Sequence, residues 1–264
     1  MKTKTFLVIA LFSLCSCQKD SGVQSTGRSP YAIDYLAMGI NTYGWSAQMV
    51  DSLGRVLDSD SDTLSVRVAG TGESVGQYSN LICLEASSSH GEHGTTRSWY
   101  LQSTDSLTEI AYAGAGAVPL SLPKTSTAST SFRLSLPVSL QRILAGRAAS
   151  DSVYLRDEVR IVHRYPFTIG TRWASFHQPF YSEREVVGYE SVTVKAGTFS
   201  CYKIKTTIDL GGAPFAMEWY DFVAQQGIVL RTLDFPMLLL TTEDHPDGTG
   251  WVSSTERLEL LSIY

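Results

Sequence analysis

Most of this chain consists of short runs in which apolar and polar residues alternate, and this pattern constrains the fold more than any other feature. The clearest example is ESVTVKAGTFSCYKIKT at residues 190–206. Val192 and Val194 fall on one face and their polar neighbours on the other, which is the period of two of a half-buried strand. Gly197 follows, and because glycine has no Cβ it can adopt the positive φ that a tight turn needs. The stretch therefore predicts a β-hairpin.

About a dozen such runs follow one another at near-regular spacing, which indicates an antiparallel sandwich or barrel. Residues 140–147 (LQRILAGR) are the best helix candidate, and that helix would be short. The Pro/Ser/Thr-rich connection at residues 119–130 is long enough to leave two subdomains open as an alternative. Because similar strands lie on both sides of it, we predict one β-rich domain over residues 31–264. Strands are expected at residues 41–50, 64–68, 78–86, 99–102, 107–112, 153–162, 185–194, 199–208, 217–223, 228–233, 237–242 and 251–261.

The N-terminus has the features of a bacterial lipoprotein signal. Lys2 and Lys4 precede an apolar run at residues 6–12 that is too short to span a bilayer. The following Leu-Cys-Ser-Cys resembles a lipobox, with an aliphatic residue three positions before Cys17 and a small residue directly before it. We predict a signal peptide over residues 1–16 and lipidation of Cys17 by diacylglycerol and an acyl chain such as palmitate, which together anchor a protein stably. The alternative is an ordinary secretory signal with an accidental cysteine.

The residues after Cys17 predict a tethered, acidic domain. Residues 17–30 are mostly small and polar, as in a flexible tether. The full chain has a net charge of −5, and loss of the two signal-peptide lysines makes the mature charge −7. Such a charge argues against nucleic acid as a partner. Gln18-Lys19-Asp20 resembles the tags that send some Bacteroidetes lipoproteins to the cell surface. We therefore expect an outer-membrane lipoprotein that faces the periplasm or the surface.

The C-terminal part resembles a domain of unknown function that is common in exported bacterial lipoproteins. The resemblance rests on YPFTIGTRW, on VVGYESVTVKAGTFSCYKIKT and on EWYDFVAQQGIVLRT. Two positions depart from that family: Lys195 stands where it usually has proline, and Asp221-Phe222 replace its usual Ala-Pro, which predicts looser turns. The matching positions are Pro166, Gly170, Trp173, Val192, Val194, Ala196, Gly197, Phe199, Cys201, Lys203, Trp219, Tyr220, Gly227 and Val229.

This resemblance implies a fold but no established activity. The implied fold is all-β: a strongly curved antiparallel sheet that forms an open or closed barrel or half-barrel, with at most one or two short helices. Small barrels are filled by side chains, whereas wider ones hold a ligand. Trp173, Trp219 and Tyr220 are the candidate ligand-lining residues, and the alternative is that the aromatic residues are plain core.

Two cysteines remain in the mature domain, Cys83 and Cys201. The compartment permits a disulfide, but each cysteine lies in an apolar strand where a free thiol packs as a small hydrophobe. We predict two buried thiols rather than a bridge.

No motif in the sequence carries a convincing catalytic or metal site. Gly72–Gly76 matches G-x-S-x-G, but a strand follows instead of the helix that a nucleophile elbow requires. His90-Gly91-Glu92-His93 is too small a ligand set for a metal, and the turn at residues 243–248 lacks EF-hand spacing. Spacing singles out no acid/base pair among the carboxylates Asp157, Glu158, Glu183 and Glu185.

These features predict a lipid-anchored envelope protein that is not an enzyme. It would be a binding or structural barrel, with an apolar or amphiphilic small molecule as the candidate ligand and no cofactor. Its membrane contact would be the N-terminal lipid, and its protein partners are not predicted. The alternative is a hydrolase that acts on envelope glycans or lipids.

Overall fold

The structure is a computed structural model that describes residues 33, 38–89, 95–114, 153–177, 181–209, 216–239 and 251–264. All regular structure within these residues is β-strand, and no helix there is long and apolar enough to cross a membrane. The strands are β1 (Ile40–Asp51), β2 (Val56–Val75), β3 (Tyr78–Ser88), β4 (Thr95–Gln102), β5 (Ser106–Gly114), β6 (Tyr154–Arg164), β7 (Arg172–Phe176), β8 (Tyr181–Val194), β9 (Gly197–Asp209), β10 (Met217–Ala224), β11 (Gly227–Leu239) and β12 (Trp251–Ile263).

All twelve strands form one antiparallel sheet in the order β6-β5-β4-β3-β2-β1-β12-β11-β10-β9-β8-β7. Every neighbouring pair except β1 and β12 is consecutive in sequence, so the sheet is two meanders joined where β1 pairs with β12. The sheet curves until β6 and β7, its two ends, come together. The result is a nearly closed barrel with one unsealed seam, which confirms the prediction of a strongly curved all-β barrel.

Side chains bridge the seam between β6 and β7 where no backbone ladder pairs the two strands. The indole N–H of Trp173 donates to the carbonyl oxygen of Ile161 at 3.1 Å, and the Ser175 hydroxyl donates to the same oxygen at 2.9 Å. From the far side of β7, Arg184 of β8 donates to the carbonyl oxygen of Val162. These bonds satisfy carbonyl groups that would otherwise be buried without partners. The barrel is thus held together at this point by side chains.

Alternation along the strands decides which side chains enter the barrel. In β1, Tyr43 and Trp45 are buried while Ser46 between Trp45 and Ala47 is exposed. In β2, Leu64 and Val66 are buried while Arg67 is exposed. The inward positions of all the strands build one large hydrophobic core, which is the reason the chain closes on itself.

The β8–β9 hairpin is formed as the sequence predicts. Gly197 has φ of 137° at the turn, and Val192 and Val194 join the core. The tip of the hairpin docks on β12, because the backbone N–H of Ala196 donates to the carbonyl oxygen of Leu260 at 3.2 Å. The N–H of Lys195 donates to Glu259 Oε1 at 3.1 Å, a bond that proline at this position could not make.

The prediction of two buried thiols is confirmed. Cys201 lies in the main core, and Cys83 lies in a second cluster with Leu81, Trp99 and Ile110. Both are free, and burial raises the pKa of Cys83 to about 12 and that of Cys201 to about 11. Neither thiol is therefore ionised at neutral pH, so neither is reactive.

Several predictions concern residues outside the described part of the chain. They are the signal peptide, Cys17 and the tether within residues 1–30, the loop at residues 90–93, the connection at residues 119–130, the helix candidate at residues 140–147 and the turn at residues 243–248.

Candidate functional site

Charged and polar side chains cluster inside the barrel, surrounded by the apolar core. Each sits at an inward position of a strand, and all are buried. Charges are rare in protein interiors unless they are paired, so a cluster of this size marks a candidate site. The members are Asn41, Tyr43, Tyr100, Glu109, Arg160, His163, Arg184, Asp221 and Arg231, joined at the margin by Arg156.

Asp221 is the centre of the first cluster, and strand register brings its partners to it. Arg231 on β11 lies directly opposite Asp221 on β10, and its Nε donates to Asp221 Oδ1 at 2.5 Å. Arg184 on β8 reaches across β9, donates to Asp221 Oδ2 and places its Nε 2.9 Å from Thr206 Oγ1. The indole N–H of Trp219 donates to Oδ2 at 3.4 Å. One carboxylate therefore joins three strands.

Glu109 is the centre of the second cluster. Arg160 on β6 lies opposite Glu109 on β5, with its Nη1 3.8 Å from Glu109 Oε2. Arg156 Nη2 lies 2.8 Å from the same oxygen. This cluster and the Asp221 cluster lie on the two sides of the seam. In each cluster, one carboxylate forms ion pairs with two arginines.

The environment fixes the charges of these groups. Burial alone would raise the pKa of Asp221, but the charges of Arg231 and Arg184 and their hydrogen bonds hold it below its usual range. Burial lowers the pKa of His163 well below 6.5, with Arg184 adding to the effect, so this histidine is neutral at neutral pH. Burial raises the pKa of Tyr43 to about 12. Burial also lowers the pKa of Arg160, against the attraction of Glu109.

Several atoms in the cluster have no hydrogen-bond partner among the described residues, and those of Arg231 and His163 are the most relevant to binding. Nη1 and Nη2 of Arg231, which is 1% exposed, have no acceptor there. His163 Nδ1 also has no hydrogen-bond partner there. The imidazole ring of His163 packs edge-on against the Phe167 ring, with 5.4 Å between the ring centroids. Native proteins pair the great majority of such buried atoms, so these positions are candidate contacts for a bound molecule.

The three residues predicted to line a ligand do not share one surface. Trp173 and Trp219 are buried inside the barrel and are fixed by their indole hydrogen bonds to Ile161 and Asp221. Tyr220 follows Trp219 in β10 and points to the other side of the sheet, where Lys203 Nζ lies 4.9 Å from its ring centroid. Of the three, Trp219 is therefore the residue that touches the polar cluster.

Sequence reasoning missed Asp221 and its arginines. As a departure from the family pattern, Asp221 predicts a looser turn, and that prediction is wrong. The residue lies within β10, is fully buried and is held by two arginines. A usable signal existed, because Arg184, Asp221 and Arg231 each occupy the apolar face of an alternating run. A charge at such a position needs a buried partner, and two arginines facing one aspartate indicate the pairing.

The motifs considered above as possible catalytic or metal sites have structural roles. Gly72 to Val75 belong to β2 and Gly76 is in the turn to β3, so G-x-S-x-G is part of a hairpin. Glu183 and Glu185 face Arg172 on the surface, and Glu158 accepts from the backbone N–H of His177 at 2.8 Å. Within the described residues, no group of three or more His, Cys, Asp or Glu could hold a metal ion.

Comparison with known proteins points to the same part of the chain. Residues 178–231 match the family model described as DUF3108-like, and this span contains Arg184, Asp221 and Arg231. Among solved structures, the chain is similar to a candidate exported protein with a YmcC-like fold from Bacteroides fragilis, with a TM-score of 0.39 and 13% identity over 84% of this chain and 95% of that one. It is also similar to a candidate lipoprotein from Parabacteroides distasonis, with a TM-score of 0.31 and 12% identity over 84% of this chain and 94% of that one.

No curated protein matches the chain. Neither solved structure is similar enough to carry a function over to it. The family match covers residues 178–231, a DUF3108-like segment that includes β8, β9, β10 and the start of β11.

Proposed function

We propose that this protein is a lipid-anchored, non-enzymatic binding module of the cell envelope, which holds a small apolar or amphiphilic molecule inside its barrel. The observation that carries the proposal is an interior that combines aromatic walls with unpaired polar groups at Arg231 and His163. Binding sites are usually built this way, mostly apolar with a few polar groups that orient the ligand.

The architecture supports this function in two further ways. Barrels of about eight strands are just filled by their own side chains, and a sheet of twelve strands has the circumference to enclose more. The seam between β6 and β7 has no backbone ladder, so the two edges can separate by breaking side-chain bonds such as that of Trp173 with Ile161. A ligand could enter there without disrupting a strand pair.

The buried carboxylates favour binding over catalysis. A general acid or base works best with a pKa near the working pH. Asp221 instead has its pKa held low by Arg231 and Arg184, and its oxygens are occupied by those arginines. The carboxylates Glu183 and Glu185 are engaged by Arg172 on the surface. The alternative of a glycan or lipid hydrolase therefore lacks a poised carboxylate pair among the described residues.

Native mass spectrometry tests the binding function. Residues 18–264 contain every described strand, so the unlipidated chain retains the whole barrel. We expect this chain, purified without detergent from a bacterial host, to carry or take up one small amphiphile per molecule. A bare mass that stays unchanged after incubation with octanoate and with octanol would contradict the proposal.

Anchoring is a separate prediction, in which the mature N-terminus is Cys17 and its acyl chains hold the protein in the outer membrane. Cys17→Ala is expected to abolish incorporation of labelled palmitate and to release the protein from the membrane fraction. Cys15→Ala is the matched control and should leave both unchanged, because only Cys17 has the lipobox spacing. Palmitate incorporation that persists in Cys17→Ala would show that the lipid is elsewhere.

A further inference from the structure

The guanidinium of Arg231 is buried with most of its hydrogen-bonding capacity unused. Its Nε donates to Asp221 Oδ1 at 2.5 Å, but Nη1 and Nη2 reach no acceptor within the described residues. The residue is 1% exposed, so bulk water does not satisfy these atoms either. The two Nη groups of a guanidinium carry four of its five N–H donors, so four donors of Arg231 lack an acceptor. A buried donor left in this state destabilises the fold unless something binds to it.

Arg231 also shares its counter-charge with a second arginine. Asp221 is shared between Arg231 and Arg184, so one negative charge faces two positive charges. Arg184 also donates to the carbonyl oxygen of Val162 and to the hydroxyl of Thr206. Charges in a protein interior are costly unless they are well paired, so an anion at the free edge of the Arg231 guanidinium would be bound favourably there.

Tyr43 supplies a further donor beside the guanidinium. Its hydroxyl oxygen accepts from Asn41 Nδ2 at 3.3 Å, and none of the described hydrogen bonds uses its own proton. Tyr43 on β1 and Arg231 on β11 both point into the barrel from the two sides of β12, where Tyr43 lies opposite Leu260 and Arg231 opposite Leu258. Burial raises the pKa of Tyr43, and the positive charge of Arg231 acts in the opposite direction. Two Nη groups and one phenolic O–H together suit an oxygen-rich anion, which accepts several charge-assisted hydrogen bonds at once.

We propose that Arg231 and Tyr43 form a binding site for an oxyanion, a carboxylate or a phosphate group, inside the barrel. This proposal rests on the binding function proposed above and makes it more specific: the oxyanion is the polar end of the amphiphile, and its apolar part contacts core side chains such as Trp219. The planar guanidinium of Arg231 recognises the anion through its free edge, while its Nε stays on Asp221.

Isothermal titration calorimetry with matched probes tests the site on the chain of residues 18–264. Octanoate and octanol share an apolar chain and differ in the anionic group, whereas acetate and inorganic phosphate carry the charge without the chain. Arg231→Met removes the donors at similar length, and Arg67→Met is the control, since Arg67 is a surface residue that pairs with Glu85. We expect octanoate to bind at least about tenfold more tightly than octanol, Arg231→Met to remove this difference and Arg67→Met to keep it.

The outcomes separate this site from the general binding function. If octanoate and octanol bind equally and Arg231→Met changes neither, the amphiphile function stands and the oxyanion site is overturned. If acetate or phosphate binds through Arg231 while neither eight-carbon probe binds, the oxyanion site stands as a site for a free anion and the amphiphile function fails. If none of the four probes binds, both are overturned.

A second variant covers the case in which Arg231→Met does not fold. Tyr43→Phe keeps the ring in the core and removes only the hydroxyl. We expect it to weaken octanoate binding about threefold to tenfold and to leave octanol binding unchanged. Unchanged octanoate binding in Tyr43→Phe would then overturn the site.

Discussion

Replacing Asp221 with asparagine is expected to lower the free energy of unfolding by about 3–5 kcal/mol. The substitution keeps the size of the side chain but leaves Arg184 and Arg231, both 1% exposed, without their shared counter-charge. Burying charges that have lost their partner is among the most destabilising changes known for single residues. Urea unfolding of the wild type and of Asp221→Asn at neutral pH measures the difference.

Glu85→Gln is the matched control for Asp221→Asn. Glu85 also bridges two arginines, Arg67 and Arg97, but their side chains are 58% and 56% exposed. Exposed ion pairs of this kind are worth about 0–1 kcal/mol, so Glu85→Gln should have little effect. Equal destabilisation by the two variants would show that burial is not the reason why the Asp221 cluster contributes to stability.

The Asp221 effect should also depend on pH. Because the pKa of Asp221 is lower in the folded chain than in the unfolded chain, its contribution is fully present above the unfolded pKa. That contribution is lost as the pH falls through the folded pKa. The gap in stability between the wild type and Asp221→Asn should therefore be largest at neutral pH and shrink in acid.

Replacing Trp219 with alanine is expected to cost about 3–5 kcal/mol, since it removes a large, fully buried side chain and opens a cavity in the barrel. It also removes the indole donor to Asp221. Tyr220→Ala is the control, because Tyr220 is the next residue in β10, lies on the other face and interacts with Lys203. That variant should cost about 1 kcal/mol. A loss for Tyr220→Ala as large as that for Trp219→Ala, in urea unfolding, would contradict the assignment of the two faces.

Alternation and turn residues were sufficient to predict most of the described fold. The β8–β9 hairpin, its turn at Gly197 and the inward positions of Val192 and Val194 follow from local rules that depend on neighbouring residues alone. The same rules predicted the strands at residues 217–223 and 228–233, which lie in the paired β10 and β11. The separate strand predicted at residues 237–242 is wrong at its start, because β11 continues without a break to Leu239. The seam could not be predicted this way, because it depends on how far the whole sheet curves.

The polar cluster could not be predicted from the sequence, for a related reason. Alternation shows that Arg184, Asp221 and Arg231 point inward, but not which of them meet. That depends on register across β8, β9, β10 and β11, which places Arg231 opposite Asp221 and lets Arg184 reach over Thr206. Conversely, residue type alone makes Trp173, Trp219 and Tyr220 candidate ligand contacts, but Tyr220 points to the opposite face of the sheet from the other two.

A crystal structure of residues 18–264 grown with octanoate tests whether the barrel binds an amphiphile through Arg231. We expect one octanoate inside the barrel, with carboxylate oxygens about 2.7–3.2 Å from Nη1 and Nη2 of Arg231 and with the Asp221 cluster intact. Octanoate bound outside the barrel or absent from it, with the Nη groups of Arg231 paired to other protein atoms, would contradict the claim.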